Sequence, residues 1–98
     1  MSLAHTERND RLFEAVLALS STEECYRFFE DICTIRELHD LAQRMDVARM
    51  LDKGQSYQQA IASTGASSAT ISRVKRCLDY GAGGYRLVLD RLKQEDAV

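Results

Sequence analysis

The stretch that decides the fold reads YQQAIASTGASSATISRVKR and spans residues 57–76. Ser56 and Gln59 show the S-x-x-Q spacing of a capping box, so a helix should begin just after Ser56. Gly65 should end this helix, because glycine adopts the left-handed backbone conformation at little cost. Ser67 can then cap a second helix by accepting a hydrogen bond from an unpaired backbone N–H. The stretch therefore predicts two short helices joined by a tight turn.

The second helix of this pair should have two chemically different faces. We expect small or apolar side chains where the two helices touch, namely at Ala60, Ile61, Thr64, Ala66, Ile71 and Val74. The outer face from Ser67 to Ser72 has no bulky or acidic side chain, and three cations follow it. No Asp or Glu occurs from Gln55 to Leu78. A buried seam behind such a face is what a recognition helix in a DNA major groove requires, so the pattern predicts a helix-turn-helix over about residues 57–80.

The candidate DNA contacts divide into base contacts and phosphate contacts. Ser68, Ala69 and Ser72 suit base edges, because hydroxyls bond donors or acceptors and a methyl group suits the methyl of thymine. Lys75 and Arg76 suit phosphates, which position a protein without specifying a sequence. A packed small-residue face and a solvated helix end are the ordinary alternatives. The complete candidate set is Tyr57, Gln58, Ser67, Ser68, Ala69, Ser72, Arg73, Lys75 and Arg76.

The composition predicts one all-α domain over residues 1–98, a length that suits a single domain. Hydrophobic residues make up 45% of the chain and aromatic residues only 7%, so the core must be largely aliphatic. Proline is absent, and all five glycines fall where helix ends are expected.

Amphipathic segments flank the central stretch on both sides. A first helix is expected over about residues 5–19. A second should begin after Ser21, with Glu24 as its capping-box partner. The apolar stripe of this second helix is Cys25, Phe28, Phe29 and Ile32. The stripe of a last, sixth helix is Tyr85, Val88, Leu89 and Leu92.

The longest helix should lie between these segments and the helix-turn-helix. Thr34 and Glu37 repeat the capping spacing and open it, and Gly54 stops it. We expect it to bury Leu38, Leu41, Ala42, Met45, Ala48 and Leu51.

Several function classes are excluded by what the chain lacks. The three cysteines, Cys25, Cys33 and Cys77, are widely spaced without a C-x-x-C motif, so we expect no metal site and buried, reduced thiols in a cytosolic protein. No nucleophile–base pair or phosphate-binding glycine loop indicates catalytic residues, and no cofactor is expected. No signal peptide or membrane span is apparent. The net charge of −2 is low for a DNA-binding protein, but the acidic residues cluster away from the basic motif.

The segment TGASSATISR, residues 64–73, resembles the helix-turn-helix of the tryptophan repressor family. TIRELHDLAQR, residues 34–44, and the loop at Gly54 are similar to the helix that precedes the motif in that family. The similarity extends over about residues 34–78 and is greatest to the small TrpR-like proteins of bacteria. The resemblance implies a cytoplasmic, six-helix DNA-binding regulator whose second and last helices interlock with those of a second chain in an intertwined homodimer.

The resemblance also implies an effector pocket, because in tryptophan repressors the indole lies between two arginines. The matching positions here are Thr34, Leu41, Arg44, Thr70, Arg73, Val74 and Cys77. Val74 departs from the glycine that leaves room for the ring, and Cys77 departs from a serine. A valine would occupy part of the indole space, and overpacking costs about 1–3 kcal/mol. Tryptophan is therefore not expected to bind, whereas a different small ligand, or none, stays open.

Two functions from different classes fit the sequence. The first is a dimeric transcriptional regulator, a repressor, that binds double-stranded DNA. The second is a helical protein-interaction module without DNA binding, which an apolar patch on the recognition face would support. The small polar side chains of that face favour the first.

Overall fold

The computed structural model describes residues 3–96, and this part of the chain folds into six α-helices without a β-strand. The helices are α1 (Glu7–Leu17), α2 (Thr22–Ile32), α3 (Ile35–Asp52), α4 (Tyr57–Thr64), α5 (Ser68–Tyr80) and α6 (Gly84–Asp96). The all-α prediction is therefore confirmed. The chain divides into two compact units, Met1–Leu38 and His39–Val98.

The first unit contains α1, α2 and the start of α3, each opened by a side-chain cap. The α1 helix is shorter than expected because Thr6 caps it, its hydroxyl accepting from the Asn9 N–H. At α2 the predicted box is half formed: the Ser21 hydroxyl accepts from the Glu24 N–H, but the Glu24 carboxylate accepts from Ser20. None of residues 3–38 is buried, and apolar side chains such as Phe13 (49%) and Ile32 (49%) stay exposed. Cys25 is exposed and Cys33 half-buried, and Cys77 in the second unit is exposed, so the expected burial of the thiols is wrong.

The second unit has a small aliphatic core drawn from α3, α4, α5, α6 and the turn. Its buried members are Val47, Ala48, Ala60, Ala66, Ile71, Val74 and Leu89. Met45 and Leu51 pack against this core as expected, but Leu41 (46% exposed) and Ala42 are exposed, so their predicted burial is wrong. The buried side of α3 is instead set by Val47.

The turn between α4 and α5 follows the predicted capping chemistry. The Ser56 hydroxyl accepts from the Gln59 N–H at 3.1 Å, and the Gln59 amide oxygen accepts from the Ser56 N–H at 2.7 Å. Gly65 ends α4 with φ at 72°, in the left-handed region. The Gln43 side-chain amide donates to the Thr64 carbonyl at 3.0 Å, which ties α3 to the end of α4. Ile61 is 38% exposed, so its expected burial between the two helices is wrong.

The end of α3 is joined to α6 by a carboxylate that binds two cations. Asp52 lies 2.8 Å from Arg86 and 2.8 Å from Lys93, and its side chain is only 8% exposed. The hydrogen bond from Lys93, followed by that from Arg86, lowers the pKa of the Asp52 carboxyl. Sequence periodicity did not reveal this bridge, because its partners are distant in sequence.

Asp52→Asn should lower the free energy of unfolding by about 1–2 kcal/mol at pH 7, because it removes charge-assisted hydrogen bonds to two partly exposed cations. A carboxyl whose pKa is depressed in the folded state contributes stability above its unfolded pKa, near 3.8, and loses it as pH falls through the folded value. Urea unfolding at pH 7 and at about pH 3 should therefore show the two proteins converging in acid.

Asp79→Asn is the control, since Asp79 forms an exposed pair with Lys75 within α5. It should change stability little at either pH. Equal effects of the two substitutions would contradict a special contribution of Asp52.

Candidate nucleic-acid interface

The α5 helix separates a buried face from an exposed one, as the sequence predicted. Ile71 and Val74 are 0% and 1% exposed and contribute to the core, and Leu78 packs against it. The exposed positions are Ser68, Ala69, Ser72, Arg73 and Arg76. Because residues three and four apart share a helix face, these side chains form one continuous surface from the start of α5 to its middle. We call this set the α5 outer face.

The side chains at the start of the α5 outer face are small, and none of them is acidic. Ser67 caps α5, and its hydroxyl accepts from the Thr70 N–H at 3.1 Å and also bonds the Thr70 hydroxyl. Much of its hydrogen-bonding capacity is therefore used within the chain. The Ser68 and Ser72 hydroxyls have no such partner in the described residues, so they have donors and acceptors for a ligand.

The three cations near the middle of α5 differ in their surroundings. Arg73 and Arg76 are exposed and form no ion pair within residues 3–96. The Lys75 ammonium lies 3.4 Å from the Asp79 carboxylate, and its side chain is 44% exposed. Asp79 lies one residue beyond the stretch 55–78, which has no Asp or Glu, so its pairing with Lys75 was not predicted from the sequence.

The start of α4 adds polar groups beside α5, against which α4 packs. Tyr57 is 41% exposed and Gln58 is exposed, and the first turn of α4 has no acidic residue. Backbone N–H groups and the positive end of the helix dipole at such a position attract anions.

A cleft that the sequence did not indicate lies between the end of α3 and α4. Its volume is about 340 Å³. The lining residues are Asp46, Arg49, Met50, Lys53, Gln55, Ser63 and Thr64. Arg49 lies in the last turn of α3 and Lys53 directly follows the helix end, four residues later in the sequence. With an acidic residue on the same wall, the cleft has mixed charge.

The positions matched to an effector pocket differ widely in burial. Arg44 and Thr70 are half-buried, whereas Leu41, Arg73 and Cys77 are exposed. Val74 is part of the core, so its side chain does occupy the space that a glycine would leave open. Thr34 belongs to the first unit, where its hydroxyl accepts from the Glu37 N–H at 3.1 Å to cap α3.

Tyr85, at the start of α6, is a neighbour of these positions that the sequence did not indicate. It packs partly buried against the core. Burial raises the pKa of its phenol, and Cys77 acts in the same direction. The positive charges of Arg44 and Arg73 oppose that shift, so both arginines lie within electrostatic reach of the ring.

The described residues offer neither a metal-binding cluster nor a membrane-spanning helix. Among residues 3–96, no three His, Cys, Asp or Glu side chains come together in a way that could hold an ion. Over the same residues no helix combines the length and the apolar character needed to cross a bilayer.

Comparisons with known proteins agree with one another. The sequence profile described as Trp repressor protein matches residues 7–93. An uncharacterized Bacillus subtilis (strain 168) protein, YerC, is 56% identical over 87 residues, covering 89% of this chain and 84% of that protein. A Staphylococcus aureus crystal structure provisionally named a Trp repressor superposes with a TM-score of 0.88 at 46% identity, covering 91% and 89% of the two chains. A TrpR-like protein from Eubacterium eligens ATCC 27750 gives a TM-score of 0.87 at 49% identity, covering 90% and 91%. The chain therefore belongs to the Trp repressor family.

Proposed function

We propose that this protein is a sequence-specific DNA-binding transcriptional regulator, a repressor, that acts as a homodimer through its helix-turn-helix. The observation that carries the proposal is the division of α5 into a buried aliphatic face and the α5 outer face. Residues 1–98 then act as a single helical DNA-binding domain, with the helix-turn-helix over about residues 57–80. Membership of the Trp repressor family supports a regulatory protein over an enzyme.

The proposed DNA contacts follow from exposure and chemistry. Ser68, Ala69 and Ser72 lie at the front of the α5 outer face, where short side chains allow close approach to base edges. Lys75 and Arg76 bind phosphates on the flank, together with the exposed Arg73. Tyr57 and Gln58 bind phosphate at the start of α4. Ser67 contributes through its backbone and position, because its hydroxyl already serves as the α5 cap.

A second copy of the chain is the proposed partner for the exposed apolar side chains. Within α6, Leu87, Val88 and Leu92 are 50%, 45% and 38% exposed. The first unit buries no residue of its own between 3 and 38, so its apolar side chains need a cover from outside that unit. An intertwined two-fold dimer would provide it, and would set two recognition helices about 34 Å apart, in successive major grooves.

Selection of bound duplexes from a random pool, combined with sedimentation of the free protein, tests the proposal. We expect an enriched site with two-fold symmetry whose half-sites lie about one helical turn apart. We also expect a species of twice 11.1 kDa at micromolar concentration. Recovery of sequences no different from the starting pool would contradict sequence-specific binding. A species of 11.1 kDa alone would contradict the dimer.

Tryptophan is not the effector in this proposal, because the Val74 side chain lies in the core where a glycine would leave room for the ring. Titration calorimetry with tryptophan should show no saturation below about 1 mM, which corresponds to less than about 4 kcal/mol of binding free energy. Val74→Gly should admit an indole ligand weakly, in a protein destabilised by at least about 1 kcal/mol. A micromolar dissociation constant for the unmodified protein would contradict this part of the proposal.

A further inference from the structure

Asp79 is the acidic residue closest in sequence to the proposed phosphate-binding cations of α5. Its carboxylate lies 3.4 Å from the Lys75 ammonium, one turn earlier on the helix. The Lys75 side chain is 44% exposed and the Asp79 side chain 43% exposed, so each is accessible to a ligand and free to separate from the other. Arg73 and Arg76 form no such pair in the described residues.

Helix stability gives little reason for an acid at this position. Asp79 lies in the last turn of α5, where the helix dipole favours a cation, and that turn contains no basic residue. An exposed pair spaced i,i+4 with the cation first is also the weaker of the two orientations. The position of Asp79 therefore calls for another explanation.

A phosphate that approaches Lys75 meets an ammonium that is already paired with the Asp79 carboxylate. Lys75 can exchange its carboxylate for the phosphate, or it can keep both anions close together. In both cases the interaction between Lys75 and the phosphate is weaker than that of an unpaired cation. Phosphate binding acts on every DNA sequence alike, so weakening one such interaction lowers the affinity for every duplex by a similar factor.

We propose that Asp79 restrains DNA binding by competing with the DNA backbone for Lys75, so that the pair lowers the affinity for all duplexes, whatever their sequence. The inference rests on the proposed function and adds a residue that regulates the same surface.

Asp79→Asn should tighten binding to selected and unrelated duplexes alike, about threefold per recognition helix at about 0.1 M salt. The slope of log affinity against log salt should steepen by about one unit for each additional phosphate that the protein neutralises. The matched control is Asp90→Asn. Asp90 lies 3.3 Å from Arg86 in an exposed i,i+4 pair on α6, outside the helix-turn-helix. Asp90→Asn removes the same negative charge and should change the affinity for DNA much less.

A double-mutant cycle with Lys75→Gln isolates the pair from the loss of charge. In the Lys75→Gln background, Asp79→Asn should lose most of its tightening effect. Circular dichroism should confirm that all variants retain their helices.

Three results would overturn the inference. These are equal tightening by Asp79→Asn and Asp90→Asn, full tightening in the Lys75→Gln background, and an unchanged salt slope. The unmodified protein separates the proposed function from the restraint by Asp79. If it binds duplexes while any of these results is found, the restraint by Asp79 fails and the proposed function stands. If no form of the protein binds DNA, the proposed function fails and the inference with it.

Discussion

Ile71→Ala should lower the free energy of unfolding by about 2–5 kcal/mol, the range measured when large aliphatic side chains are truncated in cores. Ile71 is 0% exposed and belongs to the same core as Ala60, Val74 and Val47. Removing its side chain leaves a cavity that α5 can fill only by shifting. Since small domains are stable by about 5–15 kcal/mol, this one change can remove a large part of the total.

Ile61→Ala is a matched control, because it deletes the same atoms from the neighbouring helix at a position that is 38% exposed. We expect it to cost well under half as much. Urea unfolding followed by circular dichroism measures both, at one fixed protein concentration so that any self-association affects them equally. Similar losses for the two variants would show that the buried seam between α4 and α5 is not the main source of stability there.

Arg76→Ala should weaken binding to all duplexes by about tenfold per recognition helix at about 0.1 M salt. The estimate follows from a slope of about −0.9 per neutralised phosphate, which makes one such interaction worth nearly tenfold between 1 M and 0.1 M salt. The slope itself should fall by about one unit for each phosphate that is no longer neutralised. Arg76 is exposed and forms no ion pair in residues 3–96, so little of its charge is neutralised before DNA arrives.

Ser72→Ala should behave differently, because Ser72 is proposed to lie at a base edge. It should alter the ranking of duplexes while leaving the salt slope unchanged. Arg91→Ala, on α6, controls for the loss of one positive charge outside the helix-turn-helix. Fluorescence anisotropy with the selected site and a scrambled site, at several salt concentrations, measures all three. A change of sequence preference by Arg76→Ala with an intact salt slope would show that the base-binding and phosphate-binding roles have been assigned the wrong way round.

Local chemistry explains which parts of the fold were predictable. Capping is set by residues three apart, so Ser56 with Gln59, and the left-handed Gly65, could be predicted from the sequence alone. Burial depends on which helix packs where. Leu41 continues the apolar pattern of α3 yet is exposed, and Val47, which was not in that pattern, is fully buried.

The candidate site shows the same division. The two faces of α5 follow from helical periodicity, so Ile71 and Ser72 could be assigned to opposite sides without a structure. The charges of Arg44 and Arg73 oppose the rise that burial causes in the pKa of Tyr85, and Asp52 binds Arg86, although these residues lie far apart in the sequence. No spacing rule connects such residues, so only the packing of α6 in the second unit reveals them.

The hydrogen bond between Gln43 and the turn has an evolutionary consequence. The last carbonyls of a helix have no intrahelical partner, and here the Gln43 side chain, 21 residues earlier in the chain, bonds the one at Thr64. A substitution at position 43 therefore affects the turn between α4 and α5. A homologue with a shorter or apolar residue at position 43 would need a compensating donor near the turn, so substitutions at these two places should occur together across related sequences.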